Sequence, residues 1–182
     1  DGDVATWVND VALPLDTASG AAAAYSLRNL STSYSGDVVE VRRSSDDTEA
    51  SFTAAEVAGD TLLDWVGTGG TDNGYVSQWY DQSGNTNHAV QTTPASQPKI
   101  VDAGSLVTGG LEFDGTDDRL SLSGTGLDIF KNVGYGQLFS VITPDRTVVG
   151  SNRYFEVISG TGASARFLFG DSQDYAGSSR IG

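Results

Sequence analysis

Side chains with reactive chemistry gather in three stretches of this 182-residue sequence. Trp79-Tyr80-Asp81-Gln82-Ser83-Gly84-Asn85-Thr86-Asn87-His88 packs two aromatics, a carboxylate, three amides and the only histidine into ten positions. Asp114, Asp117 and Asp118 fall within five positions around Gly115. Glu156 interrupts the apolar run Tyr154-Phe155-Glu156-Val157-Ile158. A retaining glycosidase needs two carboxyls about 5 to 5.5 Å apart, one held protonated by its surroundings, and Asp81 and Glu156 are the acids in suggestive company. Glu156 is more simply a solvent-facing sheet position, and a Ser83–His88 nucleophilic pair lacks an orienting acid and an elbow motif. For Asp81 to Asn85 the structural alternative is direct. Asp and Asn side chains bond to nearby backbone N–H groups, Gly84 permits a positive φ, and the chain leaves a strand. The aspartate triplet suits a hard cation such as calcium, or an Asx-rich hairpin turn, and it lacks the spacing and terminal glutamate of an EF-hand. Exposed aromatics beside amides and carboxylates can stack on a sugar and hydrogen-bond it. The ligand-binding candidates are therefore Tyr75, Asp81, Asn85, Asn87, His88, Tyr135 and Tyr175, with core packing the alternative for each aromatic and the favoured one for Trp79.

The elements that must position these groups are mostly short strands. Residues 1–18 read as an extended lead-in. Ser19 to Leu30 combines four alanines with Ala23, Leu27 and Leu30 at helical spacing, which predicts an amphipathic helix of about three turns. Val38 to Arg43 is β-branched and partly alternating, a strand. Thr53-Ala54-Ala55-Glu56 matches a capping box, and Asp60 can cap a short helix from Thr61 to Val66 that ends at Gly67. Further strands are expected at Tyr75–Tyr80, Ala89–Gln91, Leu111–Phe113, Leu120–Leu122, Leu138–Thr143, Tyr154–Ser159 and Ala165–Phe169, separated by glycine-rich turns. Many short strands without alternating long helices favour an antiparallel β-sandwich or jelly roll, all-β apart from one or two short N-terminal helices.

Specific strings add a resemblance. Ala24-Tyr25-Ser26-Leu27-Arg28, Tyr34-Ser35-Gly36, Val41-Arg42-Arg43-Ser44-Ser45-Asp46-Asp47 and Tyr80-Asp81-Gln82-Ser83-Gly84-Asn85-Thr86-Asn87-His88, in that order, resemble the N-terminal part of the catalytic domain of the α-L-arabinofuranosidase B family, over residues 21 to 91. Leu111-Glu112-Phe113-Asp114-Gly115-Thr116-Asp117-Asp118-Arg119-Leu120 is similar to laminin-G and concanavalin A-like jelly rolls of adhesins, carbohydrate-binding proteins and phage tail appendages. Both resemblances imply one fold, a concanavalin A-like sandwich over residues 19–182. The second also implies calcium at the sandwich rim. The enzyme family's nucleophile lies in a Cys-Cys-x-Asp-Tyr-Gly-Asn-Ala-Glu segment. This chain has no cysteine and no such string, so neither that glutamate nor the family's acid/base aspartate maps onto a residue here.

Composition narrows the function further. The absence of cysteine excludes thiolate chemistry, disulfides and Cys-ligated zinc, and a lone histidine excludes multi-His metal sites. Ten basic against twenty-four acidic residues give a net charge of −14, which repels nucleic acid and anionic membrane. No apolar run approaches the ~20 residues of a membrane span. Gly67-Thr68-Gly69-Gly70 has no phosphate-binding lysine after it, so it is not a nucleotide loop. With no methionine and a last stretch, Ser178 to Gly182, that resembles a strand cut short, the chain is expected to be a piece of a longer polypeptide. The resulting expectation is a non-catalytic carbohydrate-recognition or adhesion module of an extracellular or virion protein, such as a phage fibre. A purely structural virion module contacting other subunits of a homo-oligomer, and an arabinofuranosidase-type glycosidase, are the alternatives.

Overall fold

A computed structural model describes residues 12–122 and 137–143 and the backbone of strands 151–158 and 166–172. These residues form mostly antiparallel β-sheet with a few short helices. Strands β1 (Asp37–Arg43), β2 (Glu49–Thr53), β3 (Gly74–Trp79), β4 (Ala89–Val90), β5 (Lys99–Asp102), β6 (Ser105–Leu106) and β7 (Ser121–Leu122) make one curled, half-barrel sheet. Its order is β2-β1-β3-β4-β7, with β5 also on β3 and β6 on β5. Strands β8 (Ser151–Ile158) and β9 (Arg166–Ser172) pair with each other in a second, two-stranded sheet.

Period-2 alternation in β1 decides which face of the sheet is dry. Val39 and Val41 pair laterally with Phe52 and Ala50 of β2 and with Trp79 and Val76 of β3, so all six residues share one face. Two short helices cover that face. Helix α2 (Ala54–Ala58) is opened by a reciprocal capping box in which Glu56 Oε2 accepts the Thr53 N–H at 2.8 Å and Thr53 Oγ1 accepts the Glu56 N–H at 3.4 Å. Helix α3 (Thr61–Val66) presses Leu62 and Val66 into the core beside Val57, Ile100 and Val101. Leu62 and Ile100 are no more than 1% exposed, and burying such a side chain contributes about 1.5–3 kcal/mol. Gly74 sets how closely α3 approaches, since a Cβ there would lie 3.1 Å from methyls of both Val41 and Val66. Asp60 stands at the N-cap of α3 as expected, but its side chain does not cap; its φ of 66° places the backbone in the left-handed region instead.

The principal correction concerns Ser19 to Leu30, which is not helical. An isolated helix of about three turns is marginal in water, so a competing set of hydrogen bonds can displace it. That set is supplied by the bend after β3, described below. Leu27 still packs against the core cluster, so the apolar spacing marks inward contact without marking a helix. Pro14–Thr17, inside the segment read as extended, forms a single helical turn, α1. Leu111–Phe113 reduces to an isolated bridge between Glu112 and Lys99, with Leu111 packed on the core and Phe113 46% exposed. Leu138–Thr143 carries no strand pairing. No helix among the described residues is long and apolar enough to cross a membrane.

Candidate functional site

The bend at residues 81–88 begins where β3 leaves the sheet, and its first residue is 4% exposed. Asp81 Oδ1 accepts the N–H of Ala24 and of Ser83, both at 2.8 Å. Its Oδ2 accepts Ser83 Oγ at 2.7 Å and the Asn87 N–H at 3.0 Å. Those donors fill the roughly four lone-pair positions of a carboxylate, so none remains to take a substrate proton or attack a sugar carbon. Gln82, 5% exposed, is equally committed. Its backbone N–H donates to Ala24 O at 2.8 Å, its Oε1 accepts the Leu30 N–H at 2.8 Å, and its Nε2 donates to Ser26 O and Arg28 O, each at 2.9 Å. Asn85 Nδ2 reaches Ala21 O at 2.9 Å, and Asn87 Nδ2 reaches Ala22 O at 2.8 Å. The bend thus replaces the i→i+4 ladder that residues 21–30 would have made for themselves.

Aromatic groups finish this latch. The Tyr25 hydroxyl donates to the Asn87 carbonyl, and its ring lies 5.6 Å from that of Trp79. Burial, with the Asp81 charge as a smaller cause, pushes the Tyr25 hydroxyl well above the usual tyrosine range. The Tyr80 ring meets His88 edge-on at 5.1 Å, and the Tyr80 hydroxyl shares a 2.9 Å hydrogen bond with Ser51 Oγ. His88 Nδ1 accepts the Asp81 N–H at 3.1 Å while Ser83 Oγ donates to Asp81, so a Ser83–His88 nucleophilic pair is not assembled. Among the described residues, the Trp79 indole N–H is the one buried side-chain donor without a partner.

A second group of expected site residues meets elsewhere. On the face of the sheet opposite Val39 and Val41, lateral pairing makes a transverse row: Glu49 of β2, Arg42 of β1, Tyr75 of β3, Lys99 of β5 and Glu112. Above it lies an open cleft of about 450 Å³ lined by Arg42, Tyr75, Gln97, Lys99, Asp114 and Asp118. The Arg42 guanidinium sits over the Tyr75 ring at 4.8 Å, donates from Nε to Gln97 Oε1 at 2.8 Å and pairs with Asp47 at 2.6 Å. Lys99 pairs with Asp102 at 2.7 Å. Tyr75, Asp114 and Asp118 are thereby brought together. Asp81, Asn85, Asn87 and His88 belong to the latch. Tyr135 and Tyr175 lie outside the described residues. Sequence reasoning passed over Arg42, Gln97 and Lys99, although the alternation of β1 already placed Arg42 opposite Val41.

The aspartate triplet is a self-capped turn. Asp114 Oδ1 accepts the N–H groups of Thr116, Asp117 and Asp118 at 2.8, 3.2 and 3.3 Å. Asp118 Oδ2 accepts the Asp114 N–H at 3.0 Å, and Asp117 Oδ2 accepts Ser96 Oγ at 2.8 Å. The Thr116 N–H, ahead of the others, holds the Asp114 carboxyl below its ordinary value. Partial burial, ahead of the neighbouring Asp114 and Asp117 charges, raises that of Asp118. One oxygen from each of the three carboxylates lies within 4.8 Å of the others, a triangle able to contact a cation. One oxygen from each of three carboxylates falls short of the 6–8 oxygens calcium takes, so water or further groups would have to complete the shell. No family model, curated protein or solved structure matches the chain.

Proposed function

We propose that the chain is a non-catalytic recognition module whose ligand is a cell-surface or environmental glycan. It acts within a larger extracellular or virion protein, such as a phage fibre or capsid appendage. Its curled sheet is one layer of a concanavalin A-like β-sandwich. The observation that carries this is the division between two polar regions. The motif resembling the arabinofuranosidase family spends its carboxylate, amides and hydroxyl on bracing itself and residues 21–30. The cleft over Tyr75 is a concave surface with an aromatic and unspent donors and acceptors. A braced scaffold in one region and an open polar and aromatic groove in another suit a binder.

Two assays test the proposal together. An aryl α-L-arabinofuranoside should remain intact after prolonged incubation, and a glycan array should return bound sugars. Turnover abolished by replacing a single carboxylate would make the chain a glycosidase instead.

One observation favours assembly as a second role. Leu138 to Ile142 is apolar and exposed, with Phe139 88% and Val141 102% accessible, and such a surface suits contact with other subunits. Replacing Phe139 and Val141 by serine should then lower the sedimentation coefficient of any oligomer; an unchanged value would remove this role.

A further inference from the structure

We propose that the cleft selects an uncharged sugar ring, seated on the transverse row Arg42–Tyr75–Lys99; this rests on the glycan-recognition function proposed above and names the ligand class of the same site. Asp114 and Asp118 line the cleft with Arg42 and Lys99, and the two carboxylates are left in excess once the cations' own partners are counted. Both cations are already neutralised, Arg42 by Asp47 at 2.6 Å and Lys99 by Asp102 at 2.7 Å. Glu49 and Glu112 close the two ends of the row, and the whole chain carries −14. A uronate or sulfate ester would therefore displace existing ion pairs and enter an unfavourable field. A sugar hydroxyl both donates and accepts, which fits what is left unspent.

Among the described residues, three of the five N–H donors of Arg42 are engaged, by Gln97, Asp47 and the Pro94 carbonyl. Lys99 uses one of its three there, on Asp102. Among the described residues Tyr75 Oη makes no hydrogen bond. Tyr75 is fixed laterally between Arg42 and Lys99 and held under the guanidinium, so its ring is ordered before a ligand arrives. The cleft's volume of about 450 Å³ falls within the about 300–1,000 Å³ of small-ligand sites.

The test is titration calorimetry on the protein with neutral and uronate-bearing oligosaccharides, at low and high salt (roughly 0.05 and 0.5 M). The wild type is compared with Tyr75→Ala and Lys99→Gln. Neutral oligosaccharides should bind, with affinity changing less than about twofold between the two salts. Tyr75→Ala should weaken binding about tenfold, and Lys99→Gln, which leaves the sheet's packing intact, about threefold. Binding of uronate-bearing glycans alone, weakening as salt rises, would overturn the inference while leaving glycan recognition standing. Neutral binding untouched by either variant would place the ligand elsewhere and also overturn it. If neither class binds, the recognition function itself fails.

Discussion

The bend at Asp81–His88 and the turn at Asp114–Asp118 are both built on an aspartate that accepts backbone N–H groups across a glycine, yet their partners come from opposite distances. Asp114 bonds only to residues two to four positions ahead, and it stays exposed. Asp81 bonds across 57 positions to Ala24 as well as to Ser83 and Asn87, and it is 4% exposed. The first is a local Asx turn that leaves oxygens facing the cleft. The second is a buried carboxylate that ties the bend to a segment 57 positions away through Ala24 while its other bonds brace the bend itself. Between these two aspartates the reach of the partners separates scaffold from surface, and the residue type does not.

Breaking the latch should therefore cost far more than breaking the turn. Asp81→Ala strands three backbone N–H groups and the Ser83 hydroxyl, a loss of roughly 3–5 kcal/mol of unfolding free energy, measurable by urea denaturation. Gln82→Leu should lose about 2–3 kcal/mol, because the Leu30 N–H and the Ser26 and Arg28 carbonyls lose their partner.

Alkali attacks the same region more gently. Burial raises the hydroxyls of Tyr25, Tyr34 and Tyr80 above the ordinary value of 10.0. A group whose folded-state pKa lies above its unfolded one contributes stability that is complete below the unfolded value and lost as pH climbs past it. The urea midpoint should thus fall as pH rises above about 10, and fall less steeply in Tyr25→Phe. A midpoint that stays flat as pH rises beyond about 10 would contradict the burial of these rings.

The turn should respond least. Asp114→Ala should change stability by about 1 kcal/mol or less, since its acceptors serve exposed N–H groups that water can satisfy. Because those backbone donors already hold the turn, chelation should leave the melting temperature within about 1 °C of its starting value. A drop of several degrees on chelation, restored by calcium, would show a bound cation contributing to folding.

The same contrast explains what the sequence disclosed. Strands β1 and β3 were legible because Val39, Val41 and Val76 alternate with polar residues, and α3 because Leu62 and Val66 lie between Asp60 and Gly67. Strand β2 was not. Its sequence Glu-Ala-Ser-Phe-Thr has a single strongly apolar residue, and pairing with β1 makes it a strand. The segment 19–30 misled for the opposite reason: its alanines favour helix locally, and the bonds that override them come from residues 81–87, which no window on the segment contains. The cleft was half legible. Tyr75 and the aspartates stood out by type, but Arg42, Tyr75 and Lys99 become neighbours only through the registers of β1, β3 and β5.

The claim on which all this depends is that residues 81–87 hold 21–30 in a non-helical conformation by side-chain hydrogen bonds. Amide hydrogen exchange by NMR reads it directly. In the wild type the Ala24 and Leu30 amides should be protected while the carbon shifts of residues 21–30 are non-helical, and Asp81→Ala should abolish protection at Ala24. Helical shifts across 21–30, or Ala24 protection unchanged in the variant, would contradict it.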